Sequence, residues 1–335
     1  MGVVRTAAID CGTNSIRLLI ADVDLASGRA ADVRREMVIV RLGEGVDATG
    51  AFAPAALGRT FAACRTYADR LRAAGRPPLR FVATSASRDV SNRAEFVAGV
   101  REILGVEPEV ISGQEEGELS FVGATLGIPG DARAPFLVVD IGGGSTEFVL
   151  GSGTPTHRAS VDIGCVRMTE RHLAGDPPTP AEVAAVTADI DSAIARAGLL
   201  VPLDRARTLV GLAGSVTTVA ALALGLPRYD AERIHHSRIG IDDVRRISDT
   251  LLAMTRAERA ALPVMVPGRQ DVIGAGALVL RRIMEAAGAS EVLVSEHDIL
   301  DGVARSVALA QLGGPLAPHG PDPVADPAAG PAAGD

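Results

Sequence analysis

Three short loops hold the residues best able to do chemistry on a phosphate. The first, Asp10-Cys11-Gly12-Thr13-Asn14-Ser15, ends an apolar run in a carboxylate and follows it with small hydroxyl and amide side chains. An Asp before a Gly is ordinary turn chemistry, and taken alone that reading is the simpler one. The functional reading is a phosphate cradle, in which Gly12, Thr13, Asn14 and Ser15 supply N–H and hydroxyl donors and Asp10 holds Mg²⁺ through water. The second loop, Asp140-Ile141-Gly142-Gly143-Gly144-Ser145-Thr146-Glu147, spends three successive glycines on one turn. That entropic cost is expected where a backbone approaches a ligand closely. Gly142, Gly143, Gly144 and Ser145 are then phosphate contacts, and Asp140 and Glu147 offer hard oxygen donors suited to Mg²⁺ or another divalent cation. The third, Gly211-Leu212-Ala213-Gly214-Ser215, leads a strand into a helix whose first N–H groups, with Gly214 and Ser215, would face an anion. Each signal is weak alone. Their order, in two matching halves, is not.

The elements that position these loops follow from periodicity. Strands are expected at 4–10, 15–24, 33–42, 79–83 and 108–111, and helices at 54–74, 92–104 and from a Ser112 cap to about 127. After a Gly/Pro loop at 129–135 the pattern restarts, with strands at 136–140, 146–150, 156–162, 209–212 and 291–295 and helices at 167–173, 180–197 and 299–312. This predicts a duplicated α/β domain with two hairpins facing across a cleft. The expected units are 1–128 and 129–312, with the last helix free to pack back on the first. Six prolines after residue 312 predict a disordered 313–335 tail.

Composition excludes several alternatives. The 335 residues carry 33 basic and 41 acidic side chains, a formal charge of −8, without the field of a nonspecific nucleic-acid binder. No Lys occurs, so Walker-type, protein-kinase and Schiff-base lysines are all absent. Three cysteines, Cys11, Cys64 and Cys165, lack paired spacing and fit a reducing cytoplasm. No signal peptide is evident. Residues 208–227 are uncharged and long enough to span a bilayer, but three glycines and a Ser/Thr centre predict a buried strand, turn and helix instead.

The combined motifs resemble the exopolyphosphatase and guanosine pentaphosphate phosphohydrolase (Ppx/GppA) family, within the actin, sugar kinase and Hsp70-type ATPase fold. Besides the loops, the likeness runs through Thr84-Ser85-Ala86-Ser87-Arg88, Ile111-Ser112-Gly113-Gln114-Glu115-Glu116, Pro267-Gly268-Arg269-Gln270-Asp271 and Ser295-Glu296-His297-Asp298. The form resembled is the short one, without the helical HD-like domain of longer members. The resemblance implies a glutamate general base, placed by the family pattern on Glu116, and a phosphate-contacting Arg88. Ser112 and Glu115 have capping-box spacing, which gives Glu115 a structural role of its own. Arg17, Arg41, Arg167 and Arg269 are further phosphate candidates, each individually explicable as a structural ion pair. No histidine is expected to be catalytic, although His235 and His236 could line the cleft.

The implied reaction is Mg²⁺-dependent hydrolysis of a terminal phosphoanhydride. Inorganic polyphosphate is the first expected substrate and guanosine pentaphosphate (pppGpp) the second. Phosphotransfer to a nucleoside diphosphate is a third option, and a non-catalytic phosphate sensor the rival from another class. A homodimer is one of the oligomeric states left open.

Overall fold

The structure, a computed structural model, describes residues 2–88 and 90–312, so the expected tail lies outside the described residues. The first sheet contains β1 (Val3–Cys11), β2 (Ser15–Asp24), β3 (Ala30–Ile39), β4 (Leu79–Ala83) and β5 (Glu109–Val110), in the order β3-β2-β1-β4-β5. Strands β1 to β3 form an antiparallel meander, whereas β4 runs parallel to both β1 and β5. The second sheet contains β6 (Phe136–Ile141), β7 (Thr146–Gly151), β8 (Pro155–Val161), β9 (Thr208–Leu212), β10 (Arg238–Gly240) and β11 (Glu291–Val294). Its order is β10-β11-β9-β6-β7-β8. Without the edge strand β10, it repeats the first sheet in both order and direction. This is the duplicated actin-like, ribonuclease H-like α/β fold expected from the sequence.

Both central strands are apolar because each sheet is covered on two faces. Ala7, Ile9 and Cys11 of β1 face a core with Leu57, Cys64, Tyr67 and Phe96 from the Pro54–Ala73 and Arg93–Leu104 helices. Ala8 points the other way, onto Ile299, Val303 and Ala304 of the Ile299–Ala310 helix. In β6, Leu137, Val139 and Ile141 enter the larger core, while Val138 meets Phe121 and Ala124 of the Gly113–Thr125 helix. Thus the last helix lies on the first sheet, and a helix from the first half lies on the second.

These two helices cross backbone to backbone. A Cβ on Gly123 would stand 1.8 Å from the Asp298 carbonyl oxygen, and one on Gly302 would stand 2.1 Å from that of Leu119. No side chain fits at either point.

Several expected boundaries move. Strand β3 ends at Ile39, three residues short of the expected limit, because it is a largely exposed ribbon on β2 while Val40 and Leu42 turn into the core. The three-residue β10 was not expected; it is too short to show a period. The uncharged 208–227 segment forms β9 and the Ala213–Ala223 helix, both buried. Among the described residues no helix is long and apolar enough to cross a membrane.

Candidate active site

The two hairpin turns face each other at the carboxyl ends of β1 and β6. Hairpin register places Asp10 opposite Arg17 and Asp140 opposite Glu147, so the halves present equivalent cross-strand pairs with different charge. The turns also touch. A Cβ on Gly143 would lie 2.8 Å from Thr13 Cβ, and one on Gly144 would lie 2.5 Å from Ser85 Oγ. The triple glycine is therefore needed for the approach of the opposite loop as well as for any ligand.

Between the turns lies a narrow cleft. Asp10, Gly12, Thr13, Asn14 and Ser15 line it from one half. Asp140, Gly142, Gly143 and Ser145 line it from the other, and Gly214 and Ser215 close a third side. Glu116 reaches the cleft from the first turn of the Gly113–Thr125 helix. Three expected residues stand immediately behind this lining. Arg88 donates to Glu116 and, at 3.1 Å, to the Ile111 carbonyl. Gly144 packs on Thr13 and Ser85, and Glu147 accepts from Ser160 at 2.8 Å.

The two adjacent glutamates have different environments. Ser112 caps the helix by accepting from the Glu115 N–H at 3.2 Å, but the Glu115 carboxylate goes to Arg80 at 2.6 Å instead of closing a capping box. Glu116 is 8% exposed and points inward. Burial, with Glu147 close by, pushes its carboxyl well above the usual range despite Arg88.

The rest of the cleft is crowded with acid. Burial and the neighbouring Asp140 raise Glu147 to about 7, against Arg88 and Ser160. Burial and Asp298 raise Asp140 to about 6, although Ser120 donates to it at 2.7 Å. Burial also raises Asp10, although Arg17 contacts it at 2.6 Å. Five carboxylates, Asp10, Glu116, Asp140, Glu147 and Asp298, thus face three guanidinium groups, Arg17, Arg88 and Arg269. Fully ionised, the set sums to −2, a poor receptor for a polyanion without an added cation.

Two buried oxygens, Asp10 Oδ1 and Glu147 Oε2, have no hydrogen-bond partner. Unpaired carboxylate oxygens beside crowded acids fit a divalent cation. Among the described residues, no three acidic, thiol or imidazole groups stand close enough to enclose an ion themselves.

Like-charge crowding has a stability consequence. Glu147 is raised from 4.5, so its contribution is fully present below about 4.5 and is lost as pH climbs through about 7. Chelated protein should therefore weaken over that interval. Glu147→Gln should raise the melting temperature at pH 8 by roughly 2–5 °C and leave it nearly unchanged at pH 4.5, read by calorimetry in EDTA.

Two of the further arginine candidates, Arg17 and Arg269, line the cleft, and Asp298 joins one of them. Arg17 bridges Asp10 to Asp298, the N-cap of the last helix; burial opposes its charge, but these two acids outweigh that. Arg269 is buried and, among the described residues, has no carboxylate partner; it bonds Thr218 at 2.9 Å, and burial lowers its pKa. Its guanidinium packs on Gly214, where a Cβ would be 2.2 Å from Nη2. The histidines leave the cleft: His235 stacks on His236 at 3.6 Å and lies 4.5 Å from His297.

Known proteins resemble this chain along most of its length. The Ppx/GppA phosphatase family profile matches residues 19–310. Exopolyphosphatase 2 of Mycobacterium tuberculosis (strain ATCC 25618 / H37Rv) is 53% identical over 319 residues, covering 92% of this chain and 100% of that protein. The crystal structure of an exopolyphosphatase-like protein superposes with a TM-score of 0.88 at 43% identity, covering 93% of this chain and 100% of the other. The Aquifex aeolicus Ppx/GppA family member superposes with a TM-score of 0.76 at 28% identity, covering 92% and 99%. Facing turns, an inward glutamate and this end-to-end likeness lead to one assignment: the chain belongs to the Ppx/GppA phosphatase family.

Proposed function

We propose that this protein is an exopolyphosphatase, hydrolysing the terminal phosphoanhydride of inorganic polyphosphate and releasing phosphate. The observation that carries the reading is the pairing of Glu116 with Arg88 beside two facing phosphate-type loops, in a chain whose M. tuberculosis relative is named Exopolyphosphatase 2.

The terminal phosphoryl group sits between the loops. The Gly12 and Gly142 N–H groups close their own turns on the Ser15 and Ser145 carbonyls, so the N–H groups of Thr13, Asn14, Gly143 and Gly144, with the Thr13, Ser15, Ser145 and Ser215 hydroxyls, bind its oxygens. Arg88 and Arg269 add guanidinium contacts suited to phosphate geometry. Glu116 orients a water for in-line attack and takes its proton. A carboxyl lifted toward neutrality is better matched to that task than an ordinary one. The water oxygen bonds to phosphorus, the bridging P–O bond breaks, and the shortened chain leaves with the charge of that oxygen.

Asp10, Asp140 and Glu147 would hold Mg²⁺, which when bound supplies neutralisation of phosphate charge. Catalysis in phosphoryl transfer is mainly positioning and charge stabilisation, which these residues are suited to provide. Three buried, unpaired thiols suit a cytoplasmic setting. Chelation by excess EDTA should stop phosphate release and added Mg²⁺ should restore it, measured by a colorimetric phosphate assay. Undiminished turnover in EDTA would remove the cation from this account.

A further inference from the structure

Each phosphate loop is bound from a neighbouring segment by an arginine, Arg41 just after β3 and Arg167 in the Cys165–His172 helix, and a carboxylate of the opposite half pairs with each one. On the first loop, the Arg41 N–H donates to the Asn14 carbonyl at 2.9 Å. Its guanidinium pairs with Asp271 of the second half and reaches the Gly268 carbonyl at 3.4 Å. On the second loop, Arg167 Nε donates to the Gly144 carbonyl at 2.9 Å, and its guanidinium pairs with Asp47 of the first half. The two bridges are reciprocal, each half giving one arginine and one aspartate. None of these four residues lines the cleft itself.

Three further contacts join the two halves near these bridges. Glu170 accepts from the Gly45 N–H at 3.2 Å, and Arg171 joins Asp47 at 3.1 Å. Gly268, at φ +91°, packs so tightly that a Cβ would be 2.9 Å from Ile39 Cγ2. Arg41 itself holds φ +50°, a conformation that a non-glycine residue keeps only when its surroundings over-determine it. The side-chain exposures are 35% and 17% for Arg41 and Asp271, and 22% and 27% for Arg167 and Asp47. Each pair thus keeps a partly open side to water, from which a competing anion can reach it.

We propose that Arg41 and Arg167 bind the phosphates trailing the terminal one, and that Asp271 and Asp47 occupy them as surrogate anions until a polyphosphate chain enters. This rests on the polyphosphate reading above and adds to it a second anion site outside the cleft. Phosphate oxygens match the guanidinium fork as carboxylates do and carry more charge, so an incoming chain exchanges with the aspartates without leaving either arginine unpaired. The bridges then hold the two halves together in the resting protein and release where the chain must pass.

The test is the sign of the change in KM for long-chain polyphosphate, with folding checked by thermal unfolding. A bridge that is only structural is broken equally from either end, so R167Q and D47N would shift KM the same way. Here the arginine variants R41Q and R167Q should raise KM about fivefold to tenfold, the scale of one charge-assisted hydrogen bond lost at a partly exposed site. The aspartate variants D47N and D271N should lower it about twofold to fivefold, because the competing anion is gone. Same-direction shifts within both pairs, or arginine variants with unchanged KM, overturn the proposal while leaving the substrate reading intact. Wild-type protein that releases no phosphate from polyphosphate overturns both.

Discussion

Glu116→Gln should lower kcat for phosphate release from polyphosphate by about 10²–10⁴-fold, the usual range for loss of a general base, with little change in polyphosphate binding. The substitution keeps the shape and one oxygen acceptor, so Arg88 retains a partner and its bond to the Ile111 carbonyl. What disappears is the ability to take a proton from water. Glu115→Gln is the matched control, because that side chain pairs with Arg80 outside the cleft lining. It should cost about 1 kcal/mol of stability at most, the scale of a part-exposed ion pair, and leave turnover near wild type. The opposite outcome, an inactive Glu115→Gln and an active Glu116→Gln, assigns the base to the wrong neighbour. Rapid-quench phosphate release and equilibrium binding separate the two effects.

Gly123→Val should be the most damaging substitution for stability. Its Cβ would stand 1.8 Å from the Asp298 carbonyl oxygen and 3.1 Å from the Gly302 N–H nitrogen, both backbone atoms that no rotamer change can move. The two crossing helices would have to separate, carrying Asp298 away from Arg17 and loosening both sheet faces they cover. Overpacking of a built core costs about 1–3 kcal/mol where side chains can give way, and a backbone collision belongs at or above the upper end. Gly58→Ala is the counterpart: Gly58 lies in the Pro54–Ala73 helix with nothing within 4 Å of its ideal Cβ. Removing that glycine should stabilise by about 0.5–1 kcal/mol. Urea unfolding of both variants reads the contrast, and a Gly123→Val protein as stable as wild type would mean the helices are not in contact there.

Residues close in sequence were the legible part of this site. Asp10 with Gly12, and Asp140 with its glycines, announce themselves because a strand, a turn and the return strand lie within a few residues. Glu116 could be separated from Glu115 by helix-start geometry and family pattern together, although the partner of Glu115 proved to be Arg80, on a different element. Asp298 was not legible as a site residue. It reads as a motif and a helix start, and its pairing with Arg17 spans 281 positions, available only once the last helix folds back on the first sheet. Arg17 was a candidate whose partners were hidden for the same reason: only tertiary structure shows acids on both sides of it.

The triple glycine carries a related lesson. Close backbone approach was the correct physical inference, yet part of what approaches is the opposing loop, at Thr13 and Ser85. Likewise the apolar run before Leu42 drew the expected third strand too far. Val40 and Leu42 are buried because the chain has left the sheet for the core, whereas β3 keeps its place through backbone bonds to β2 rather than through burial. Pattern locates burial; it does not say which element does the burying.

The most direct measurement is ³¹P nuclear magnetic resonance of long-chain polyphosphate incubated with purified protein and Mg²⁺, alongside short polyphosphate and guanosine pentaphosphate. Attack at a terminal phosphoanhydride predicts growth of the orthophosphate signal at the expense of internal phosphates, with no rise in the end-phosphate signal, and orthophosphate growth slowed at least a hundredfold with Glu116→Gln. End phosphates that multiply without orthophosphate release, or an orthophosphate signal that grows equally in that variant, would contradict it.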